Sequence, residues 1–383
     1  MKPSRSVIAA LALGCVLATT VPLAAAEPCP AQCASGKVPL GIAAPLSGAA
    51  GAFGRLTVKA AETAVDEVNK AGGLLGIPVA PVAADDRCDA GMASTVARQH
   101  IESKVGFVIG PTCPAVVMDA APVYAKAGVI QFVPTMTAVE LTEKYPDSIF
   151  RMVANDAQEA KALAAYLARE QAGKKIAIVF GEFFYRRASA RMIDQALSPE
   201  QKKTTRLESL ADVTGASDRL ADQFKKAPPD LIFISLDPPQ AAEFVGKLRQ
   251  RGIKSLLLGG QHLLSASFWR NHPSAAEGIH ILTPIESLEN TDFIHAADTL
   301  MKAQVTPHLV ALSNFAAVQT WAEAVRRAGS GDPRAVIAAL RSGTFKTAVG
   351  NVAFDGKGDR RDVRYSILTW KDGLPAPGLP WRQ

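Results

Sequence analysis

Residues 38–44 read Val-Pro-Leu-Gly-Ile-Ala-Ala, and residues 56–70 read Leu-Thr-Val-Lys-Ala-Ala-Glu-Thr-Ala-Val-Asp-Glu-Val-Asn-Lys before Ala71-Gly72-Gly73. The first run has strand length and is apolar throughout, as a strand buried on both faces should be. The second is helical: Val58, Ala61, Val65 and Val68 share one face, with Lys59, Glu62, Asp66 and Glu67 largely off it. Its glycine pair is a stop signal. The same two patterns then alternate. Strands are predicted at 77–84, 106–110 and 129–133, and helices at 90–104 and 115–127. The series restarts with a helix at 156–171, then strand 175–180, helix 185–197, strand 204–210 and helix 217–226. Strand 231–236, helix 239–251 and strands 255–258 and 279–282 complete it. Such alternation of continuous apolar strands with helices predicts an α/β fold of parallel sheets covered on both faces.

The last hundred residues change character. Helices are predicted at 288–304, 309–328 and 332–341 with no strands between them, followed by strands at 351–354 and 365–371. Asp355-Gly356-Lys357-Gly358-Asp359 links those strands. It lacks the ligand spacing of a calcium loop, so a hairpin turn is expected there.

The ends bound the compartment. Lys2 and Arg5 precede an uncharged apolar run from Val7 to Leu23 that closes in Ala24-Ala25-Ala26. This is the pattern of a secretory signal peptide, residues 1–26, cleaved near Ala26 to leave Glu27 first and a polar lead over 27–37. Cutting at Cys15 instead would strand 16–26 as a greasy tail. A chain of 383 residues suits two domains better than one core. Its net charge of +6, with signs interspersed, excludes a nucleic-acid binder.

Four of the five cysteines follow the signal: Cys29, Cys33, Cys88 and Cys113. An even number in an exported chain favours disulfides, and four allow three pairings. Cys88–Cys113 with Cys29–Cys33 is preferred, and a four-cysteine zinc site is the alternative. The longer loop, about 26 residues, would contribute roughly 3–4 kcal/mol in the chain-entropy account.

In parallel sheets, ligands sit beyond the carboxyl ends of strands, where loops lead into helix N-termini. Three such loops stand out: 44–54, Gly110-Pro111-Thr112-Cys113-Pro114-Ala115, and Pro134-Thr135-Met136-Thr137-Ala138. Their free backbone N–H groups and hydroxyls suit a carboxylate. Pro114 fits the first turn of a helix. The glycine spacing in 44–54 is not a dinucleotide fingerprint, and no nucleophile elbow, H-E-x-x-H or phosphate loop occurs. The six histidines (100, 262, 272, 280, 295, 308) lack ligand spacing and are expected at the surface or in caps. Asp85-Asp86 beside Arg87 is expected to be a solvated strand end. No cofactor, no metal and no enzymatic activity are expected.

On these residues the chain resembles the periplasmic substrate-binding proteins of ABC importers, of the leucine/isoleucine/valine-binding type, from about Val38 to Gly373. The landmarks are Ala44-Pro45-Leu46-Ser47-Gly48, Ala71-Gly72-Gly73-Leu74-Leu75-Gly76, Asp85-Asp86-Arg87-Cys88-Asp89 and Val108-Ile109-Gly110-Pro111-Thr112-Cys113. Later come Glu140-Leu141-Thr142, Phe150-Arg151 and Phe354-Asp355-x-x-Gly358-Asp359. The resemblance implies two Rossmann-like lobes joined by a three-crossover hinge, the type I periplasmic binding protein fold, closing on ligand. It also implies the Cys88–Cys113 bond. Lobe 1 would be 38–154 with 285–345, and lobe 2 would be 155–284 with 346–383. The crossovers would fall near 153–156, 282–286 and 343–351.

Carried over residue by residue, Thr137 keeps the hydroxyl that meets ligand carboxylate and amine, and Tyr185 the aromatic that closes over ligand. Phe53 keeps the aromatic of the first loop. The sequence departs from the pattern at three places. Pro114 replaces a serine and can donate no backbone hydrogen bond. Gln261 stands where an acid holds the ligand ammonium. Asp237 stands where an aromatic is usual and could supply a replacement charge. Thr112, Ala115 and Met136 complete the expected lining. Burying an unpaired ammonium costs several kcal/mol, against a few at most gained by a leucine side chain. The expected ligand is therefore an aromatic or aliphatic carboxylate, an amide or a neutral oxygenated compound. The expected protein is a monomer that delivers this small molecule to a membrane permease in a transient encounter. A periplasmic sensor on the same fold is the alternative, and an exported enzyme the last.

Overall fold

The computed structural model describes residues 36–284, 290–361 and 363–382. The signal peptide, Cys29 and Cys33, the end of the expected middle crossover and the start of the helix expected from Leu288 lie outside the described residues.

The first layer is a sheet of five parallel strands: β1 (Val38–Ala44), β2 (Val79–Asp85), β3 (Phe107–Ile109), β4 (Ile130–Val133) and β5 (Ile149–Arg151). Their order is β2-β1-β3-β4-β5. Helices α1 (Gly51–Lys70), α2 (Ala93–Glu102), α3 (Pro114–Lys126) and α4 (Glu140–Lys144) connect them. Val58, Ala61, Val65 and Val68 of α1 are buried, as the 3.6-residue spacing requires. This helix starts five residues before the predicted Leu56, so Phe53 lies on its first turn rather than in a loop.

The second layer has seven strands: β6 (Ile176–Gly181), β7 (Thr205–Leu210), β8 (Leu231–Ser235), β9 (Leu256–Gly259), β10 (His280–Thr283), and later β13 (Ser366–Lys371) and β14 (Leu374–Arg382). The order is β14-β13-β10-β9-β8-β6-β7, parallel from β7 to β10 and antiparallel at β13 and β14. Its helices are α5 (Asp156–Glu170), α6 (Phe184–Ala196), α7 (Pro199–Thr204), α8 (Ala216–Lys226), α9 (Pro238–Gln250), α10 (Ala266–Asn271) and α11 (Pro273–Ala276). Helix α5 opens on a capping box, Asn155 with Gln158.

After β10 the chain returns to the first layer as α12 (Thr291–Lys302), α13 (Leu309–Ala328) and α14 (Pro333–Ser342). Trp321 of α13 stacks flat on Phe107 of β3, ring centroids 4.6 Å apart. A two-stranded sheet follows, β11 (Phe345–Thr347) with β12 (Gly350–Val352). The predicted strand pair 351–354 and 365–371 is not a hairpin: β12 pairs with β11, whereas β13 pairs with β10 and β14. Asp355–Asp359 still turns tightly, with the Asp355 N–H donating to the Asp359 carbonyl at 2.9 Å. It does so inside the first layer, where Phe354 meets Phe150 at 5.0 Å and Phe132 at 5.8 Å. The third passage between layers therefore falls between Arg360 and Ser366, later than the expected 343–351. The aromatic cluster, which no local pattern announces, holds the turn on the first layer.

Two further expectations are corrected. Asp86 is fully buried rather than solvated, and accepts from the Cys88 N–H at 2.8 Å. His100 is also fully buried. It meets the Tyr124 hydroxyl at 2.7 Å and the Val82 carbonyl at 3.0 Å, so it is neither surface nor cap. Cys88 and Cys113 are bonded, with Cα atoms 5.4 Å apart.

Candidate functional site

Each sheet reverses its direction of growth once. From β1 the chain moves to β2 on one side and later to β3 on the other; from β6 it moves to β7 and later to β8. The crevices beyond the carboxyl ends of β1/β3 and of β6/β8 are the two topological switch points, where open α/β sheets bind ligands. Of the three loops singled out in the sequence, 44–54 and 110–115 lie at the first of these switch points and 134–138 follows the neighbouring β4.

In the first layer, Asp85 gathers the loop after β1. It accepts from the Leu46 N–H at 2.7 Å and the Ser47 hydroxyl at 2.6 Å. The Ser47 hydrogen bond, with those of the backbone, holds its carboxyl down at about 2. Phe53 stacks on His308, centroids 6.4 Å apart. Beyond β3, Gly110 takes φ +98°, and a Cβ there would stand 2.2 Å from the Ala43 carbonyl oxygen, so only glycine lets the loop pass so close. Thr112 follows, 4% exposed, and its Oγ1 has no hydrogen-bond partner among the described residues. Pro114 occupies the first turn of α3, and Pro114 and Ala115 are exposed.

Beyond β4, Met136 is buried and Thr137 half-buried. Arg151 fixes this loop from beneath: its guanidinium donates to the Met136 carbonyl, to Ala138 O at 2.7 Å and to Thr142 Oγ1 at 3.1 Å. Thr137 hydrogen-bonds the Asp156 carboxylate, and its carbonyl accepts from the Asp156 N–H at 3.0 Å. The first layer thus meets the start of α5 at this point.

In the second layer, Tyr185 and Asp237 bridge the switch point. The Tyr185 hydroxyl donates to Asp237 Oδ2 at 2.8 Å, and Arg186 donates to Asp237 Oδ1 through Nη2 at 2.8 Å and Nε at 3.2 Å. The Asp237 charge is therefore already matched by a guanidinium. Burial, with the Asp237 hydrogen bond, pushes the Tyr185 phenol up to about 12. Beyond β9, Gln261 is 3% exposed. Its N–H donates to Glu159 Oε1 at 3.0 Å, and its Nε2 to Glu159 Oε2 at 3.2 Å and Ala154 O at 3.3 Å. His262 meets the Leu236 carbonyl at 2.8 Å.

Sequence reading missed four residues. Phe183, 53% exposed, lies parallel to Tyr185 with centroids 5.9 Å apart and presents a free apolar ring at the end of β6. Arg186 is the cation of this face. Asp156 is half-buried, yet deep enough that desolvation raises its carboxyl against the opposing Thr137 hydrogen bond and the Arg186 and Arg151 charges. Glu159 is buried, and desolvation, then the Asp156 charge, push it up to about 7, against the Gln261 hydrogen bonds and Arg186. A signal for Glu159 was present: it falls on the same helical stripe as Leu163, Tyr166 and Leu167, all buried, where an acid is out of place. Among the described residues, no three His, Cys, Asp or Glu side chains gather as a metal set.

Residues 37–374 match a family described as periplasmic binding protein. Leu/Ile/Val-binding protein homolog 3 of Brucella melitensis is 27% identical over 345 residues, covering 90% of this chain and 94% of that one. A branched-chain amino acid transporter substrate-binding protein of Streptococcus pneumoniae, solved in complex with isoleucine, matches with a TM-score of 0.76 at 21% identity, covering 91% of this chain and 99% of that chain. A solute-binding protein of an ABC transporter from Rhodopseudomonas palustris, solved with 3,4-dihydroxybenzoic acid, matches with a TM-score of 0.75 at 18% identity, covering 90% and 96%. At such identities the two structures show a common fold of two α/β lobes.

Proposed function

The chain belongs to the periplasmic binding protein family, and from that premise we propose that it captures one small solute between its lobes, unaltered, for delivery to the permease of an ABC importer. It acts as an exported monomer. The solute is an aromatic or aliphatic carboxylate, an amide or a neutral oxygenated compound, not leucine, isoleucine or valine.

One observation carries the ligand reading: the two positions expected to meet a ligand ammonium, Asp237 and Gln261, offer no free carboxylate. Asp237 is tied to Arg186 and Tyr185, and Gln261 is neutral. The rings of Phe53, Phe183 and Tyr185 suit a planar apolar body, and Thr112, Thr137 and Gln261 suit its polar ends. That a neighbour of this fold was solved with an aromatic acid makes the class chemically plausible on this scaffold.

A second reading has its own support. Asp156 is half-buried and desolvation raises its carboxyl, a cost that an amino-acid ammonium could offset. Isothermal titration with L-leucine, benzoate and 4-hydroxybenzoate separates the two. Micromolar affinity for an aromatic acid with none for leucine is expected; micromolar leucine binding would establish the second reading and end the first.

A further inference from the structure

Glu159 and Gln261 form a pair whose geometry has a consequence for selectivity. Ala154 O can only accept, so Nε2 of Gln261 must face it, and Nε2 then also faces Glu159. This fixes the amide orientation and leaves Gln261 Oε1 as a buried acceptor with no partner among the described residues. Such an atom carries a cost of about 1–3 kcal/mol until a donor arrives. The fit behind it is close: a Cβ on Gly260 would stand 2.5 Å from Glu159 Oε1, so glycine there lets the carboxylate reach the Gln261 main chain.

We propose that Glu159 is a positioning residue of the ligand site: by holding both amides of Gln261 it presents Oε1 as an acceptor for a hydroxyl or amide N–H of the ligand. This rests on the reading of the cleft as a solute site and narrows it to solutes that carry a neutral donor. An ammonium is disfavoured at this atom because an uncharged oxygen does not offset its desolvation.

The charged and titratable groups around Glu159 are Asp156 on the same helix, Arg186 from α6 and Tyr365 ahead of β13. His262, next to Gln261, is held neutral by burial and by Arg186. Among these, Glu159 is the group placed to change its proton occupancy near neutrality. When it takes a proton, Gln261 Nε2 loses its charged acceptor and keeps only neutral ones, so Oε1 is presented to the ligand less firmly. The site should therefore bind its ligand better above the Glu159 midpoint than below it.

The test follows the Gln261 side-chain amide in the ¹⁵N-labelled, ligand-free protein from pH 5.5 to 8.5, with calorimetry of 4-hydroxybenzoate on the same samples. A Gln261 signal titrating near pH 7 in wild type and flat in Glu159→Gln is expected. At pH 8 that variant should bind 4-hydroxybenzoate about tenfold more weakly, the loss of one hydrogen bond to a charged group. Should Glu159→Gln not fold, Gln261→Leu replaces it: loss of the Nε2 donor, with the main-chain N–H kept, must move the Glu159 midpoint upward in ¹³C carboxyl spectra. A Gln261 amide that does not titrate, or titrates unchanged in Glu159→Gln, overturns the positioning role whatever the protein binds. Titration as expected with no binding of 4-hydroxybenzoate supports that role and instead withdraws aromatic acids as the solute class.

Discussion

Glu159 illustrates how one side chain couples site chemistry to stability. Its carboxyl is pushed from 4.5 to about 7 by desolvation, so the folded protein holds the proton more tightly than the unfolded chain does. The stabilisation is complete below pH 4.5 and fades as pH rises through 7. Glu159→Gln removes that dependence. The difference in Tm between variant and wild type, followed by differential scanning calorimetry from pH 4.5 to 8, should shift in favour of the variant with rising pH. A constant difference would mean the carboxyl is not perturbed. At the same scale, Asp237 was legible as an unusual acid, but its pairing with Arg186 was not. The partners stand 51 positions apart in sequence, and only the packing of α6 beside the loop after β8 joins them.

Among elements, the joint between β5, the start of α5 and the turn 355–359 stands out. Arg151, fully buried, donates from Nε to Asp359 Oδ1 at 2.6 Å, and Asn155 Nδ2 donates to Asp359 Oδ2 at 2.9 Å. The Arg151 N–H donates to the Gly358 carbonyl at 2.8 Å. One carboxylate therefore clasps the last strand of the first layer and the cap of the first helix of the second. Asp359→Ala leaves a buried guanidinium without its counter-ion, a loss of about 3–5 kcal/mol. Urea denaturation should show a lower midpoint of that size, and a change below about 1 kcal/mol would contradict the burial argument. Phe354-Asp355-x-x-Gly358-Asp359 was recognisable as a block in sequence, whereas its seat against Phe132 and Phe150 was not.

For the whole molecule, the described chain passes between the layers before α5, after β10 and before β13, and Thr137 with Asp156 already ties the two layers together. Such a connection permits a hinge motion while limiting its axis. If the lobes close on solute, small-angle scattering should show a smaller radius of gyration at saturating ligand and unchanged molecular mass. An unchanged radius with confirmed binding would point to a preclosed cleft.

Sequence alone determined the α/β class, the alternation of elements and the burial of faces such as Val58–Val68, because these follow from continuous apolar runs of strand length and a 3.6-residue periodicity in the helices. It also placed the three candidate loops at a sheet's carboxyl edge, since a loop after a parallel strand must lie there. Only the tertiary structure decided where the third crossing falls, that Asp237 is neutralised by Arg186, and that Glu159 stands behind Gln261. Those outcomes depend on groups far apart in sequence and on desolvation, which exists only once the layers have packed around them.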